Sequence, residues 1–370
     1  MIRPPAGPGR IFLTTDAVGG VWTYTLDVAR GFAERGAEVD IAVLGPAPDR
    51  AKYLEAASIP GARVIETGEA LEWCAASPEA LARSAGRLAE LAARRGAATA
   101  HLHSPSLLAE SFPVPVLVTL HSCVATWWRA VHGDALLPEM LAWQADATKR
   151  GLQRADRVVA PTLAFANAAR QVYRLRRPIR IVPNGRRPLH APPAESRTGA
   201  LAAGRLWDEG KNIAAVDRAA AGLDIPVFAA GPLEGPNGAS INLAHARAVG
   251  QLDSAALAAL MARVAVFAAP ALYEPFGLAI LEAAQAGLPL VLGDIPTLRE
   301  IWDGVAIFIP PRDDAALAAA IAQLHADSHY AAALGSTARR RAARFTTEAM
   351  ISALWEIHCG LAEAPVAELA

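Results

Sequence analysis

The chain has 370 residues, of which 53% are hydrophobic and 19% are charged, and its formal net charge at pH 7 is −1. This near-neutral balance gives no general case for nucleic-acid binding, and the length favours roughly two to three domains with large buried cores. Cys74, Cys123 and Cys359 are scattered without a C-x-x-C pair, which argues against a disulfide framework and against a structural zinc site.

The charge is unevenly distributed along the chain. Residues 1–188 carry 23 of the 35 Lys and Arg and 17 of the 36 Asp and Glu, so that part has a balance of +6 and the remainder has −7. A basic first half could meet an anionic acceptor or a membrane surface, and the alternative is a solvated basic face. The N-terminus lacks the apolar run of a signal peptide, and no apolar stretch approaches the roughly 20 residues of a spanning helix. We therefore expect a cytoplasmic protein, with any membrane contact weak, peripheral and at the inner face.

Residues 1–188 show short apolar runs that alternate with helical patterns. Strands are predicted at 10–15, 39–44, 100–103, 114–121, 157–160 and 179–183, and helices at 22–34, 78–95, 138–154 and 162–172. Strands and helices in this alternating order are typical of a mostly parallel, doubly wound sheet. The sequence therefore predicts a first α/β domain over residues 1–188.

A stretch rich in Pro and Arg, residues 186–198, predicts a linker to a second domain. Further strands are predicted at 200–203, 226–230, 264–268, 290–292 and 306–309, and helices at 212–221, 254–262, 277–286, 315–326 and 346–359. A second doubly wound domain is thus predicted over residues 189–345. Two such domains facing one another leave a cleft at the carboxyl ends of their strands, where ligands bind in these folds.

Two features of the first domain are candidates for ligand contact. Gly19 and Gly20 follow the first strand, where paired glycines let a backbone approach a ligand and tolerate positive φ, although an ordinary tight turn is the alternative and no G-x-G-x-x-G occurs. His121 ends an apolar strand and should point into the cleft, although a strand-end histidine is more often structural. His101 and His103 share one strand face, but no carboxylate or Cys completes a ligand set, so we expect no metal site.

In the second domain, the loop after the first strand carries Arg205 and Lys211. Lys211 opposes the dipole of the following helix, which is reasonable if it holds a diphosphate, and Arg205 could join it as a bidentate donor. The alternative is that Lys211 pairs with its neighbours Asp208 and Glu209. Neither a P-loop motif nor an Asp-x-Asp pair occurs, so Arg205, Lys211 and the helix at Gly277 would have to neutralise a diphosphate.

Glu274 and Glu282, separated by seven residues, bound the most informative stretch of the chain. Pro275 disfavours helical dihedrals at Glu274 and suits a first helical turn, so Glu274 should lie in the loop just before a helix. The backbone N–H groups of Phe276 and Gly277 would then favour an anionic or hydroxyl-rich ligand. Glu282 has apolar neighbours almost all round, which predicts a buried carboxylate with a hydrogen-bonding partner. The alternative is a structural N-cap followed by a chance acid.

Taken together, these segments resemble the retaining glycosyltransferases of family 4, which have the GT-B fold. They occur in family order across nearly the whole chain, and the Glu274-x7-Glu282 stretch is the most specific of them. The other matching segments are Gly19-Gly20, His121, Pro183-Asn184-Gly185, Gly204-Arg205, Gly210-Lys211 and Gly250-x-Leu252-Asp253. The resemblance implies two Rossmann-like domains facing a central cleft, with a C-terminal helix, about 346–370, crossing back onto the acceptor-side first domain.

The resemblance also implies roles for individual residues. Arg205 and Lys211 would hold the donor diphosphate, Glu274 would orient the donor sugar, and His121 would lie near the sugar O6 and the reacting face. The other implied donor contacts are Gly19, Gly20, Leu252, Phe276, Gly277, Leu278 and Glu282. Glu282 would accept hydrogen bonds from the ribose hydroxyls, and the backbone near Leu252 would meet the nucleobase. No cofactor or metal is implied, and the partners would be a nucleotide sugar and an unidentified acceptor, whether a sugar, a lipid-linked molecule or a small molecule.

Two positions depart from the family pattern. An acid often follows the strand-end histidine, and here Ser122 follows His121. The glycines that are common after the strand at 290–292 are replaced by Asp-Ile-Pro-Thr at 294–297. Because both positions contact the sugar or the acceptor, they leave the substrate open more than the reaction.

The expected reaction is metal-independent transfer of a glycosyl group with retention at the anomeric carbon. No carboxylate is an obvious nucleophile, so the leaving diphosphate would help to take the acceptor proton during attack on the same face. Two alternatives stay open. One is another GT-B enzyme, such as a sugar-nucleotide 2-epimerase or a phosphorylase, and the other is a catalytically idle GT-B protein that binds a nucleotide or a partner.

Overall fold

The computed structural model describes residues 7–108, 111–192, 194 and 196–363. Over these residues the chain forms two compact units. The N-terminal unit comprises the chain up to Trp128, Asp134–Gly185 and the segment that begins at Thr347, and the C-terminal unit comprises Arg129–Gly133 and Arg186–Thr346. The N-terminal residues considered for a signal peptide, two residues of the predicted linker and the end of the predicted C-terminal helix lie outside the described residues.

The sheet of the N-terminal unit has seven strands, all parallel in their pairing. They are β1 (Arg10–Asp16), β2 (Glu38–Leu44), β3 (Ala62–Glu66), β4 (Thr99–Leu102), β5 (Val116–Thr119), β6 (Arg157–Ala160) and β7 (Arg180–Ile181), in the spatial order β3-β2-β1-β4-β5-β6-β7. The central strands are buried along nearly their whole length, which matches their continuous apolar sequences, because helices cover both faces of a doubly wound sheet.

Helices follow the strands of this first part of the chain in alternation. They are α1 (Gly20–Glu34), α2 (Arg50–Ala57), α3 (Pro78–Arg94), α4 (Val124–His132), α5 (Glu139–Arg154) and α6 (Leu163–Tyr173). Local sequence explains where several begin. The side chains of Asp49, Ser77 and Thr162 cap α2, α3 and α6 by accepting hydrogen bonds from first-turn backbone N–H groups, and Pro78 suits the first turn of α3.

The C-terminal unit is built in the same way around six parallel strands. They are β8 (Ala200–Ala203), β9 (Val227–Ala230), β10 (Arg247–Gly250), β11 (Val266–Ala269), β12 (Leu290–Gly293) and β13 (Ile307–Ile309), in the order β10-β9-β8-β11-β12-β13. Its helices are α7 (Ile213–Ala220), α8 (Ser254–Arg263), α9 (Leu278–Gln285), α10 (Pro296–Trp302), α11 (Asp314–Ala326) and α12 (Ser328–Ala342). In each unit, therefore, the predicted parallel, doubly wound α/β architecture is confirmed.

The last helix, α13 (Thr347–Glu363), belongs to the N-terminal unit. Its buried residues Ile351 and Leu354 join the same core as Phe32 of α1. Gly31 of α1 allows this approach, because a Cβ atom at that position would lie only 2.3 Å from the Cδ1 atom of Ile351. Beyond this contact, the Nδ1 atom of His358 lies 2.8 Å from the Oγ1 atom of Thr99 on β4.

The strands and helices that the sequence predicted are present, with ends displaced by up to two residues, except that α13 extends to Glu363, four residues beyond the predicted end. Six further strands and helices had no predicted bounds, namely β3, β10, α2, α4, α10 and α12. Among the described residues, no helix is both long enough and apolar enough to pass through a bilayer.

Candidate active site

Lys211 and Glu274 form an ion pair in the C-terminal unit, at the carboxyl ends of β8 and β11. Their side chains are 21% and 13% exposed, so the pair is largely withdrawn from solvent yet still reachable. The sequence left open whether Lys211 pairs with its acidic neighbours Asp208 and Glu209. Instead, it pairs with an acid 63 residues further along the chain. A cation and a carboxylate are thereby brought together where the strands of a parallel sheet end, which is where such folds bind ligands.

Backbone hydrogen bonds hold the two loops that carry this ion pair together. The carbonyl oxygen of Gly210 accepts from the N–H groups of Leu272 and Tyr273, at 2.9 and 3.0 Å. The next residue but one, Asn212, has a left-handed backbone (φ +56°), and its side-chain amide donates to the carbonyl of Pro270 at 2.9 Å. These contacts fix Lys211 beside Glu274 before any ligand arrives, which is the preorganisation that electrostatic binding requires.

Arg205 lies on the same loop as Lys211 but has a different partner. Its Nη2 atom donates to Asp208 Oδ2 at 2.7 Å, and Asp208 Oδ1 accepts from the N–H of Gly210 at 2.9 Å. The guanidinium carbon lies 5.5 Å from the ring centre of Trp207. Arg205 is 34% exposed, so an anion could reach the guanidinium while Asp208 keeps it in place.

The helix after Glu274 begins later than the sequence predicted. Glu274 lies in a loop, as predicted, but Pro275 is not in the first helical turn, because α9 begins at Leu278 with Gly277 as its N-cap. Gly277 has φ +90° and ψ +75°, a left-handed conformation that suits glycine and separates the Pro275 turn from the helix. A Cβ atom at Gly277 would lie 3.3 Å from Glu274 Cγ, so the Glu274 side chain lies against the start of the helix. The backbone N–H groups in the first turn of α9 therefore lie close to the Lys211–Glu274 pair.

Glu282 is buried, at 8% exposure, as its apolar neighbours predicted, and it has a charged partner. The Nε atom of Arg186 donates to Glu282 Oε1 at 2.7 Å, and the carbonyl of Arg186 accepts from the side-chain amide of Gln285 at 2.8 Å. Sequence reasoning assigned Arg186 to a linker and missed this contact. The signal available was that a buried carboxylate needs a cation or several donors, but nothing local indicated which of 35 basic residues would supply them.

The apolar residues predicted to contact the donor share one core. Phe276 is 3% exposed, and its ring packs edge-on against Phe345 with a centroid distance of 5.6 Å. Leu252, which follows β10, and Leu278 are partly buried against the same cluster. Only the backbone of Phe276 is therefore available to a ligand. The structure brings Lys211, Glu274 and Gly277 together and places these apolar residues in one adjoining core, while Arg205 and Glu282 are each held by a separate partner.

Thr297 lies in the segment that replaces the family glycines, and it contacts the site directly. Its Oγ1 atom donates to the backbone carbonyl of Glu274 at 2.6 Å. The departure from the family pattern therefore supplies a side-chain support for the Glu274 loop. Sequence comparison with the family marked the position as unusual but could not show what the hydroxyl would bind.

In the N-terminal unit, Gly19 and Gly20 lie where β1 meets α1, and neither adopts the positive φ that glycine tolerates. Gly19 is the N-cap of α1 with φ −147°, and Gly20 is the first helical residue. The turn is instead held by Asp16, whose Oδ1 atom accepts from the N–H groups of Val18 and Gly19 at 2.8 and 3.2 Å. Because both are glycines, no side chain is present at the start of α1, and Gly20 is exposed there.

His121 follows β5 and lies in a cluster of aromatic rings. Its Nε2 atom is 3.0 Å from Nδ1 of His103, and its ring meets Tyr24 edge-on with a centroid distance of 4.6 Å. Burial lowers the pKa of His121 to about 3, so its ring is neutral at pH 7. Within the described part of the chain, no group of three or more His, Cys, Asp and Glu side chains is arranged to hold a metal ion.

Glu72 is a polar residue of this unit that sequence reasoning missed. It lies in a short 3-10 helix, Glu72–Cys74, close to Ser104, which follows β4. Burial, together with the nearby carboxylate of Asp16, raises the pKa of Glu72 to about 7. Its local sequence carries no motif, and only the fold brings Glu72 close to Asp16 and Ser104.

Comparison with solved structures identifies the fold. A sucrose-phosphate synthase from Thermosynechococcus elongatus matches with a TM-score of 0.78 and 22% identity, over 95% of this chain and 98% of that one. HepE from Anabaena, solved in complex with UDP and glucose, matches with a TM-score of 0.70 and 16% identity, over 95% of this chain and all of that one. The two doubly wound parallel-sheet units are those of a GT-B fold.

Two family models show the family to which the chain belongs. Residues 18–188 match the model of Glycosyltransferase Family 4, and residues 199–327 match that of Glycosyl transferases group 1. The chain belongs to the GT-B glycosyltransferases of the family 4 type, as its motifs predicted. It is also 43% identical over 97 residues to a glycogen synthase of Mycobacterium tuberculosis, a match that covers 26% of this chain and only 23% of that relative.

Proposed function

We propose that this glycosyltransferase moves a sugar from a nucleotide-diphosphate sugar to an acceptor hydroxyl with retention at the anomeric carbon. The observation that supports the proposal best is the Lys211–Glu274 ion pair at the start of α9. A cation suited to phosphate and a carboxylate suited to sugar hydroxyls lie side by side. A helix N-terminus, which favours anionic oxygens, begins next to them.

Each group has a defined task in this proposal. The donor diphosphate binds Lys211 and Arg205, and the sugar hydroxyls donate to Glu274, which then exchanges part of its contact with Lys211 for the sugar. Glu282 accepts from the ribose hydroxyls while Arg186 holds its carboxylate. In the N-terminal unit, the backbone N–H groups at Gly19 and Gly20 are suited to an anion, and the acceptor binds at the carboxyl ends of that sheet.

The proposed chemical step uses the leaving group as the base. The bond between the anomeric carbon and the diphosphate oxygen breaks, and the acceptor oxygen bonds to that carbon on the same face. The acceptor proton passes to the departing phosphate oxygen. Glu274 is engaged with Lys211 and is a poor candidate for a covalent nucleophile. Rate enhancement therefore depends on stabilising the departing diphosphate by fixed positive charge, which is worth about 3 to 4 kcal/mol per well-placed donor.

A thermal-shift panel of nucleotide diphosphates and their sugar conjugates tests donor binding, because a ligand that binds the native state raises Tm. The panel starts with UDP and UDP-glucose, since the HepE structure was solved with UDP and glucose. We expect one nucleotide to raise Tm in the wild type and Lys211→Ala to abolish most of that shift. Lys149→Ala, which removes a lysine of α5, is the matched control and should retain it.

Product analysis with the selected donor then tests the reaction. Transfer by Lys211→Ala should fall by about 10²- to 10³-fold, with Lys149→Ala unchanged. Release of a C2 epimer, or donor hydrolysis that needs no acceptor, would instead indicate another GT-B activity. A wild-type protein that binds no nucleotide would contradict the proposal altogether.

A further inference from the structure

We infer that His103 is a positioning residue for His121: it fixes the orientation and a single tautomer of the His121 ring, so that Nδ1 is the ring atom that faces the ligand. The inference rests on the proposed function, because it concerns the histidine expected beside the donor sugar. It is carried by the 3.0 Å contact between His121 Nε2 and His103 Nδ1.

The fold holds His103 firmly in place. The N–H of His103 donates to the Oγ1 atom of Thr14 on β1 at 3.0 Å, which fixes the backbone where β4 ends. The ring of His103 is enclosed by Tyr24, edge-on at a centroid distance of 5.3 Å, and by His101 at 4.6 Å. Only 9% of His103 is exposed. A ring with so little freedom can act as a fixed reference for its hydrogen-bonding partner.

The contact couples the protonation of four ring nitrogens. Burial lowers the pKa of both histidines well below the usual value, so both rings are neutral, and each carries one N–H and one bare nitrogen. One of the two facing nitrogens must donate and the other accept. If His103 donates, the proton of His121 is on Nδ1, and if His121 donates, its Nδ1 is bare. The first arrangement is favoured, because in the second the Nε2 atom of His103 would carry a buried N–H group with no acceptor among the described residues. The proton of His121 is then on Nδ1 as long as the contact holds.

The second nitrogens of the two rings have different surroundings. Among the described residues, the Nε2 atom of His103 is buried and has no hydrogen-bond partner. His121 is partly exposed, and no described residue hydrogen-bonds its Nδ1 atom. A buried polar atom left without a partner is unfavourable, so a protein retains one where another constraint is stronger. We take that constraint to be the orientation of His121 toward its ligand.

The first measurement needs no turnover. In the full chain labelled with ¹⁵N-histidine, the His121 ring nitrogens report the tautomer directly. We expect one tautomer in the wild type and in His103→Asn, because the Asn side-chain amide can occupy the place of Nδ1 and keep the bond. His103→Phe has a ring of similar size without a donor or acceptor, and we expect it to give a mixture. His325→Asn removes a histidine of the C-terminal unit that contacts Thr198, and it should leave the His121 signals unchanged.

Kinetics with the donor found by thermal shift supply the second test. His103→Phe should lower kcat roughly tenfold, the equivalent of one hydrogen bond, while His103→Asn keeps most of the activity. In a His121→Ala background, His103→Phe should produce no further loss, since it acts only through His121. An unchanged tautomer in His103→Phe, or an equal loss in the His121→Ala background, would overturn the inference. If the wild type transfers no sugar, the proposed function fails, and the tautomer measurement still decides whether the two histidines are coupled.

Discussion

The burial of the Arg186–Glu282 ion pair allows us to predict how much unfolding free energy is lost when the pair is broken. The two side chains are 12% and 10% exposed, and Arg186 Nε lies 2.7 Å from Glu282 Oε1. Charge centres about 4 Å apart attract by about 4 kcal/mol at an effective dielectric constant near 20. Because Glu282→Leu leaves the guanidinium buried without this carboxylate, we expect that variant to lose about 3 to 5 kcal/mol of unfolding free energy.

The double variant Arg186→Met/Glu282→Leu separates the contribution of the ion pair to stability from that of side-chain packing. With both charges replaced by apolar side chains of similar size, no unpaired charge is left in the interior, so the double variant should be more stable than Glu282→Leu alone. Urea denaturation followed by circular dichroism measures the free energies, and hydrogen exchange of peptides from α9 reports the C-terminal unit separately.

An exposed ion pair in the same unit provides the matched control. Arg299 and Asp303 are 43% and 67% exposed and lie 2.8 Å apart, so Asp303→Asn should cost well under about 1 kcal/mol. The argument from burial and pairing would be wrong if Glu282→Leu cost no more unfolding free energy than this control. It would also be wrong if the double variant lost as much as Arg186→Met and Glu282→Leu lose together when each is measured alone.

Two further predictions concern Glu72 and Thr297. Since burial and Asp16 raise the pKa of Glu72 to about 7, above the ordinary 4.5, the native state binds this proton more tightly than the unfolded state, and stability falls as pH rises between those values. Glu72→Gln should therefore unfold at a higher urea concentration than the wild type at pH 8, and this advantage should vanish near pH 4.5. Thr297→Val removes the hydrogen bond to the Glu274 carbonyl and should cost about 1 kcal/mol of stability and lower kcat severalfold. Thr337→Val, which removes a hydroxyl bonded within α12, should leave kcat unchanged, and equal kinetic losses in both variants would refute a special role for Thr297.

Three of the elements that sequence reasoning missed have a weak apolar signal for a physical reason. β3 and β10 each lie at one edge of their sheet, and all of their residues are partly or fully exposed. An outer strand needs no continuous apolar run, because one of its edges is not covered by another strand, so its sequence carries a weak signal. α2 has a single buried residue, Ala56, and so lacks the apolar stripe by which a helix is recognised. The central strands, buried on both faces, were predicted to within two residues.

The sequence by itself determined the architecture of the two units, the loop position of Glu274 and the burial of Glu282, because each depends on short-range periodicity or on the backbone limits of proline. The family followed from the resemblance of its motifs. The tertiary structure alone decided the partners of the charged groups. Lys211 contacts an acid 63 residues away, Arg186 contacts one 96 residues away, and His103 meets His121 across two neighbouring strands. Which charged residues contact each other depends on strand order and on the geometry of loops that are far apart in sequence. Local composition does not indicate either.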